Sequence, residues 1–254
     1  MGGEWAASVT VVVLVSMLWG GACQEAPCTE TVVGTCECIL AAGSYTSLNI
    51  TQCSIRSVLN IVLEGDVAIV GERAMSAENH CGMTISSADG FHYTLDLTLV
   101  LTAKFSEFFE FELQCPPDTK AFVNFANVDV IGDSYFLFES RTEFSVVSLD
   151  HANFRANGQR YAGGTASWGT FDKGGGCLAV YGDVESVVVT NSSFIGCGVH
   201  DNFGLNEADQ YMGGGAMGFF DGLVTDFLFE DSRAEDTSVG SEGNFTLSLV
   251  RLGG

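Results

Sequence analysis

The most site-like stretch of the 254-residue chain is Gly213-Gly214-Gly215-Ala216-Met217-Gly218, formally a G-x-G-x-x-G. Such a run cradles a dinucleotide when it leads from a strand into a helix, with the pyrophosphate on the helix N-terminus. Here it leads into Phe219-Phe220-Asp221-Gly222-Leu223, which reads as strand. The sister run Gly174-Gly175-Gly176 has Ala179 where the third glycine would stand. No cofactor is expected. Sugar cleavage needs paired carboxylates, or calcium-holding acids beside a basic proton acceptor. The available acids include Asp183, Asp221, Asp226, Glu230 and Asp231, and solvated corner residues explain them equally well. His151 and His200 each stand near an aspartate and read as surface groups. Cys36-Glu37-Cys38 and His80-Cys81 lack zinc-ligand spacing, so disulfides are the better reading. No catalytic residue and no metal site are assigned.

The cysteines point to an oxidising compartment. There are nine: Cys23, Cys28, Cys36, Cys38, Cys53, Cys81, Cys115, Cys177 and Cys197. Several should pair, in a connectivity that spacing leaves open, and the odd count leaves one free or paired outside the chain. All follow a short apolar run, Val9 to Leu18, too short to span a bilayer and the right length for the core of an export signal. Gly20 and Ala22 are the small residues expected before cleavage at Cys23. Residues 1–22 are therefore read as a signal peptide, although Glu4 is atypical and no Lys or Arg precedes the apolar run. No stable transmembrane segment is expected in the mature chain. Asn49, Asn191 and Asn244 head glycosylation sequons. The formal net charge of −22 repels a phosphate backbone, so nucleic acid is excluded as a partner.

The elements that must position these groups are strands. No stretch shows three turns of 3.6-residue periodicity with caps. Cys38–Ala42, Val58–Leu63 and Val67–Val70 read as short strands between turn residues. Tyr93–Leu101 alternates, as does Phe109–Leu113 with Phe inward and Glu outward. Phe122, Phe125, Val128, Val130, Phe136 and Phe138 continue the theme, then Phe144–Leu149. Strands of about five residues are expected, in an all-β chain.

Internal repetition favours a coil of strands over a sandwich. At an offset of 39, Gly174–Gly176 falls on Gly213–Gly215, Tyr181 on Phe220, Val184 on Leu223, Val188 on Phe227 and Ser193 on Ser232. At an offset of 40, Val147–Phe154 falls on Val187–Phe194. Glycine and asparagine then mark tight corners.

Two sets of residues resemble known families. Ile39–Tyr45, Leu59–Gly65 and Val67–Gly71 resemble the first turns of the pectin-lyase-like right-handed parallel β-helix. Gly214-Gly215-Ala216-Met217 and Phe154-Arg155-Ala156-Asn157 are similar to the repeats of the polymorphic outer-membrane proteins. Gly175-Gly176-Cys177-Leu178 and Phe194-Ile195-Gly196-Cys197 are variants of the same two motifs. The resemblance implies a β-helix over most of residues 35–252. The Asp-pair, Gly-His-Gly and Arg-x-Lys signatures of the β-helix pectinases are missing. Residues 23–55 are expected to form a cysteine-rich N-terminal cap with the first strands, and 56–254 a parallel β-helix incomplete at its C-terminus.

A functional lead follows from the repeat. Loops at equivalent positions, Gly158–Lys173 with Tyr161, Trp168 and Phe171, and Gly198–Met212 with Phe203 and Tyr211, should project from one flank. Such aromatics could stack on sugar rings. The expected function is a secreted or cell-surface, non-catalytic binding or adhesion module for glycans or cell-surface proteins. The alternative is a carbohydrate-active β-helix enzyme, a polysaccharide lyase or glycosidase.

Overall fold

A computed structural model of the chain describes residues 24–32, 34–70, 77–97, 109–132, 136–155, 177–199, 216–220, 222–235 and 238–239. Over these residues the protein is all-β. The strands run β1 (Gln24–Val32), β2 (Thr35–Leu40), β3 (Gly43–Asn49), β4 (Val58–Leu63), β5 (Val67–Ile69), β6 (Ala77–His80), β7 (Gly82–Ser87) and β8 (Tyr93–Asp96). They continue with β9 (Phe109–Leu113), β10 (Ala121–Ile131), β11 (Phe136–Ser140), β12 (Phe144–Arg155), β13 (Leu178–Tyr181) and β14 (Val184–Thr190). The last are β15 (Ser193–Ile195), β16 (Gly198–Val199), β17 (Met217–Phe220), β18 (Val224–Glu230), β19 (Arg233–Glu235) and β20 (Ser238–Val239). No described helix is long and apolar enough to cross a membrane.

Nearly all pairing is parallel. In the 13-stranded sheet, β2, β4, β7, β10, β12, β14 and β18 lie side by side in that order. In the 5-stranded sheet the order is β6, β9, β11, β13, β17. Neighbouring strands in such a sheet lie about 4.8 Å apart, so register partners form rows. Leu59, Met83, Val123, Val147, Val187 and Phe227 make one inward row. Ile61, Ile85, Phe125, Leu149, Val189 and Phe229 make the next. From Leu59 to Val187 and from Ile61 to Val189 every member is 0% exposed, which is why one apolar side chain recurs at each level. Phenylalanines fill the space between the sheets. The Phe125 ring meets Phe136 edge-on at 5.2 Å and Phe154 at 5.3 Å, and Phe154 stacks on Phe194 at 5.4 Å.

The strands differ from the expected five-residue segments. β10 has 11 residues and β12 has 12. Each is bent by one left-handed residue, Asn127 at φ 53° and His151 at φ 50°. The inward side chains therefore step by three at that point, from Phe125 to Val128 and from Leu149 to Ala152, and both arms keep their apolar residues inside. Ala41 and Ala42, expected at the end of a strand, form the same corner between β2 and β3.

The 40-residue offset is borne out between β12 and the two strands that follow its course, β14 and β15: Val147 pairs Val187, Leu149 pairs Val189 and Phe154 pairs Phe194. The offset of 39 holds only where Leu178 pairs Met217 and Tyr181 pairs Phe220. From Val184 onward it is corrected to 40: Val184 pairs Val224, Val188 pairs Leu228, Ser193 pairs Arg233 and Phe194 pairs Ala234. The extra residue lies in Asp221-Gly222-Leu223. Side chains alternate with period two, so the 39 offset would have put Phe227 opposite the outward Val188 instead of the buried Val187. Gly222 makes the insertion fit, because a Cβ there would lie 2.2 Å from the Gly182 carbonyl.

Nor is 40 the only step. Partners on β10 and β12 are 24 residues apart, as in the Ser148–Asn124 hydrogen bond. β4 and β7 are related by the same step, since Val58 pairs Gly82. From β12 to β14 the step is 40, and most of the excess lies between Arg155 and Leu178. The expected ligand-loop residues Tyr161, Trp168, Phe171, Phe203 and Tyr211 lie outside the described residues, as do both triple-glycine runs. The flanks of these segments are register partners: Arg155 pairs Ile195, and Leu178 pairs Met217.

Candidate functional site

The corner between the two arms concentrates exposed polar chemistry. Its left-handed positions are Asn127, His151, Asn191 and Asp231, with φ of 53°, 50°, 48° and 48°. Asn and Asp tolerate this conformation because their short side chains hydrogen-bond locally. Serines satisfy the backbone beside it. Ser192 Oγ accepts from Ala152 N and Ser232 Oγ accepts from Ser192 N, each at 3.0 Å. The corner is thus held by one repeated set of hydrogen bonds, which fixes what its outward side chains present.

Two connected clusters sit on it. In the first, His92 Nε2 donates to Asp129 Oδ1 at 2.7 Å. Asn153 Nδ2 donates to the same oxygen at 2.8 Å, and Ser193 Oγ donates to Asn153 Oδ1 at 2.7 Å. Asp129, Asn153 and Ser193 are register neighbours on β10, β12 and β15. In the second, Asp150 Oδ1 accepts from Thr190 Oγ1 at 2.8 Å, His151 Nδ1 at 3.0 Å and Asn191 Nδ2 at 3.2 Å. The Thr190 hydroxyl, with Asn191 and His151, outweighs slight burial and holds the Asp150 carboxyl below the usual carboxylate range. Asp150 is therefore ionised at neutral pH. Among the described residues neither Asp129 nor Asp150 uses its Oδ2 in a hydrogen bond.

An aromatic pair flanks His92 in sequence. The 3-10 turn Ala88–Gly90 ends in a bond from Phe91 N to Ala88 O at 3.0 Å, and presents Phe91 at 59% exposure. Its ring stacks on Tyr93 at 5.5 Å with 23° between planes. His92 lies between the two in sequence. Tyr93 is the register partner of buried Val128 and packs against the core, so it faces inward where Asp129 faces outward. The outward cluster offers carboxylate, amide and hydroxyl groups that can bond sugar hydroxyls.

The other expected site residues are dispersed. Cys28 pairs with Cys38, Cys36 with Cys53, Cys81 with Cys115 and Cys177 with Cys197. The Sγ atoms of Cys28, Cys36 and Cys38 lie within 4.8 Å of one another, but all three are oxidised, so the thiolates a metal needs are not there. Cys23 lies outside the described residues. Asn49 closes β3, and Thr51 Oγ1 donates to its Oδ1 at 2.7 Å. Asn191 is exposed at the corner. Asn244, His200 and Asp221 lie outside the described residues. Asp183 accepts from Leu223 N at 2.8 Å and so braces the inserted residue. Asp226, Glu230 and Asp231 are exposed, and the glycine run leads into strand β17.

Sequence reasoning named His151 but missed Phe91, His92, Asp129 and Asn153. His92 and Asp129 are 37 residues apart, an interval that matches neither repeat step. A search for a 24-residue step would have paired Asp129 with Asn153. No protein-family model, no curated protein and no solved structure matches the chain.

Proposed function

We propose that this chain is an exported right-handed parallel β-helix of the pectin-lyase-like kind, acting at the cell surface or outside the cell as a non-catalytic glycan-binding module. The coil reading is supported by parallel register partners in both larger sheets, at steps of 24 and 40 in the 13-stranded sheet (Asn124 with Ser148, Val147 with Val187) and of 27, 42 and 39 in the 5-stranded one (Phe109 with Phe136, Phe136 with Leu178, Leu178 with Met217). Right-handedness follows from the general hand of crossovers between parallel strands. Residues 23–55 cap the coil: β1 pairs antiparallel with β2 and parallel with β3, covering an edge of each. Four disulfides fit the oxidising destination that the N-terminal apolar run implies.

The observation that carries the glycan reading is the outward, hydrogen-bonded His92–Asp129–Asn153–Ser193 row, with the exposed Phe91 adjoining His92 in sequence. The His92–Asp129 contact also favours a second reading, a carbohydrate-active enzyme with that pair as acid and base. Both side chains are open to solvent, at 35% and 40%, without the desolvation that usually tunes such a pair. A glycan array probed with the intact protein and with Phe91→Ala tests the module. Retained sugar with weakened Phe91→Ala binding supports it. Release of reducing or unsaturated sugar ends would overturn it in favour of the enzyme.

A further inference from the structure

The outward face of the 13-stranded sheet carries two contrasting rows across β4, β7, β10 and β12. One is apolar: Val58, Gly82, Phe122 and Val146 are register partners. The next is polar: Asn60, Thr84, Asn124 and Ser148. The residues between the rows, Leu59, Met83, Val123 and Val147, are 0% exposed, so alternation turns both rows to the outside. Gly82 decides how Phe122 lies. The ring carbons Cε1, Cδ1 and Cζ stand at nearly the same distance, at most 2.7 Å, from the point a Gly82 Cβ would occupy. Near-equal distances to three successive carbons put that point over the face of the ring, not beyond its edge. The ring therefore lies flat on the glycine with its other face outward, and Phe122 is half-buried. In the polar row, Ser148 Oγ donates to Asn124 Oδ1 at 2.7 Å. Among the described residues, neither the Asn60 amide nor the Thr84 hydroxyl has a hydrogen-bond partner, and both are half-exposed.

Neither row holds a charged side chain over these four strands, in a chain of net charge −22. The charges around them are mostly acidic. Glu37 adjoins Asn60, Asp150 (bonded to His151) follows Ser148 on β12, and Asp226 lies two strands beyond Val146. Lys120, before Phe122, is held by Glu143 at 2.8 Å and Glu185 at 3.0 Å. An anionic sugar meets repulsion here. A pyranose whose hydroxyls are all equatorial has apolar C–H faces and a polar rim. Its face matches Phe122 and the valines, and its rim matches the Asn and Thr side chains. We propose that this face binds an uncharged, extended β-1,4-linked glycan of such rings, laid across β4, β7, β10 and β12. Strands about 4.8 Å apart set one polar group beside each ring, because a flat β-1,4-linked chain advances by nearly that spacing per ring. Four strands offer about 14 Å, room for about three rings. An α-1,4-linked chain curls and loses this match. The proposal rests on the glycan-binding reading above but uses a different surface, since the Asn127 corner lies between Asn124 and Asp129 on β10.

Calorimetric titration of the intact protein with cellohexaose, maltohexaose and a galacturonate hexamer tests this at physiological salt. Cellohexaose is expected to bind at least about tenfold more tightly than maltohexaose, the worth of one or two hydrogen bonds, and the galacturonate not at all. Phe122→Ala should weaken cellohexaose binding about tenfold by removing the stacked face. Thr84→Val keeps the shape, removes a hydroxyl that has no protein partner, and should weaken binding about threefold to tenfold with Tm unchanged. Gly82→Ala keeps the ring but lifts it from the sheet, and should also weaken binding. Equal binding of the two glucose hexamers, or tighter binding of the galacturonate, overturns the proposal and leaves the glycan module standing. So does cellohexaose binding that Phe122→Ala and Thr84→Val leave unchanged. Binding of no sugar at all sinks both readings.

Discussion

The two ends of the 13-stranded sheet are built differently. At the β1–β3 end, an antiparallel strand covers the sheet edge and two disulfides, Cys28–Cys38 and Cys36–Cys53, tie it down. The inward residues there, Cys36, Cys38 and Leu40, are 0% exposed. At the β18–β19 end, Phe227, Phe229 and Ala234 belong to the same inward rows yet are only half-buried, while Leu223 and Leu228 are 51% and 46% exposed. No unit of such a stack buries its apolar face alone. Where fewer neighbours are available, covalent links or an added strand must make up the difference. The corner cluster lies between the two ends, on strands that have a parallel partner on each side.

The largest test uses one row. Phe125 and Phe229 share a register row, the first at 0% exposure and the second half-buried. Phe125→Ala is expected to destabilise by about 3–5 kcal/mol and Phe229→Ala by about 1–2 kcal/mol, read by denaturant titration. Equal losses would mean that the far end is as well covered as the centre.

The near end is probed by removing its longer cross-link. Cys36 and Cys53 close a loop with a separation of 17 residues. Replacing both by serine is expected to cost about 3 kcal/mol, seen as a lower Tm. An unchanged Tm would show that β1 covers the edge without covalent help.

Smaller effects are expected where glycine admits a neighbour. A Cβ at Gly82 would lie 2.4 Å from the Phe122 ring. Gly82→Ala should cost about 1–2 kcal/mol, and Phe122→Leu in the same chain should restore part of it. No recovery in the double variant would locate the strain elsewhere on β7.

The smallest effect is pH-dependent. His80 is 3% exposed, and its Nδ1 lies 3.1 Å from Ser57 Oγ and 3.3 Å from Ser57 O. Burial holds its pKa below the ordinary histidine value, against a smaller opposing effect of the Ser57 backbone. As pH falls through the ordinary histidine value, the unfolded chain takes up the proton first, so stability declines below that point and is level above it. His80→Gln should flatten this slope in denaturant titrations between neutral and mildly acid pH. A slope that survives the substitution would assign it to other groups.

Much of this was legible in one dimension. An apolar run between turn residues placed Val58–Leu63 as a strand, alternation placed Phe109–Leu113, and the 40-residue step paired Phe154 with Phe194. Both signals are local or repeated, so they survive without knowledge of the fold. The 39-residue step failed after Tyr181 because sequence similarity tolerates a one-residue slip that side-chain alternation does not. The 24-residue step escaped notice because Leu149 below Phe125 is similar only in being apolar.

The sequence alone determined the strand content and the alternation of apolar and polar residues within strands, since period and backbone preference act on neighbours along the chain. Only the tertiary structure decided which cysteines meet, where the extra residue at Gly222 is absorbed, and that His92, Asp129 and Asn153 meet. Those depend on which strand lies beside which. Parallel pairing across steps of unequal length brings together residues that no single spacing connects.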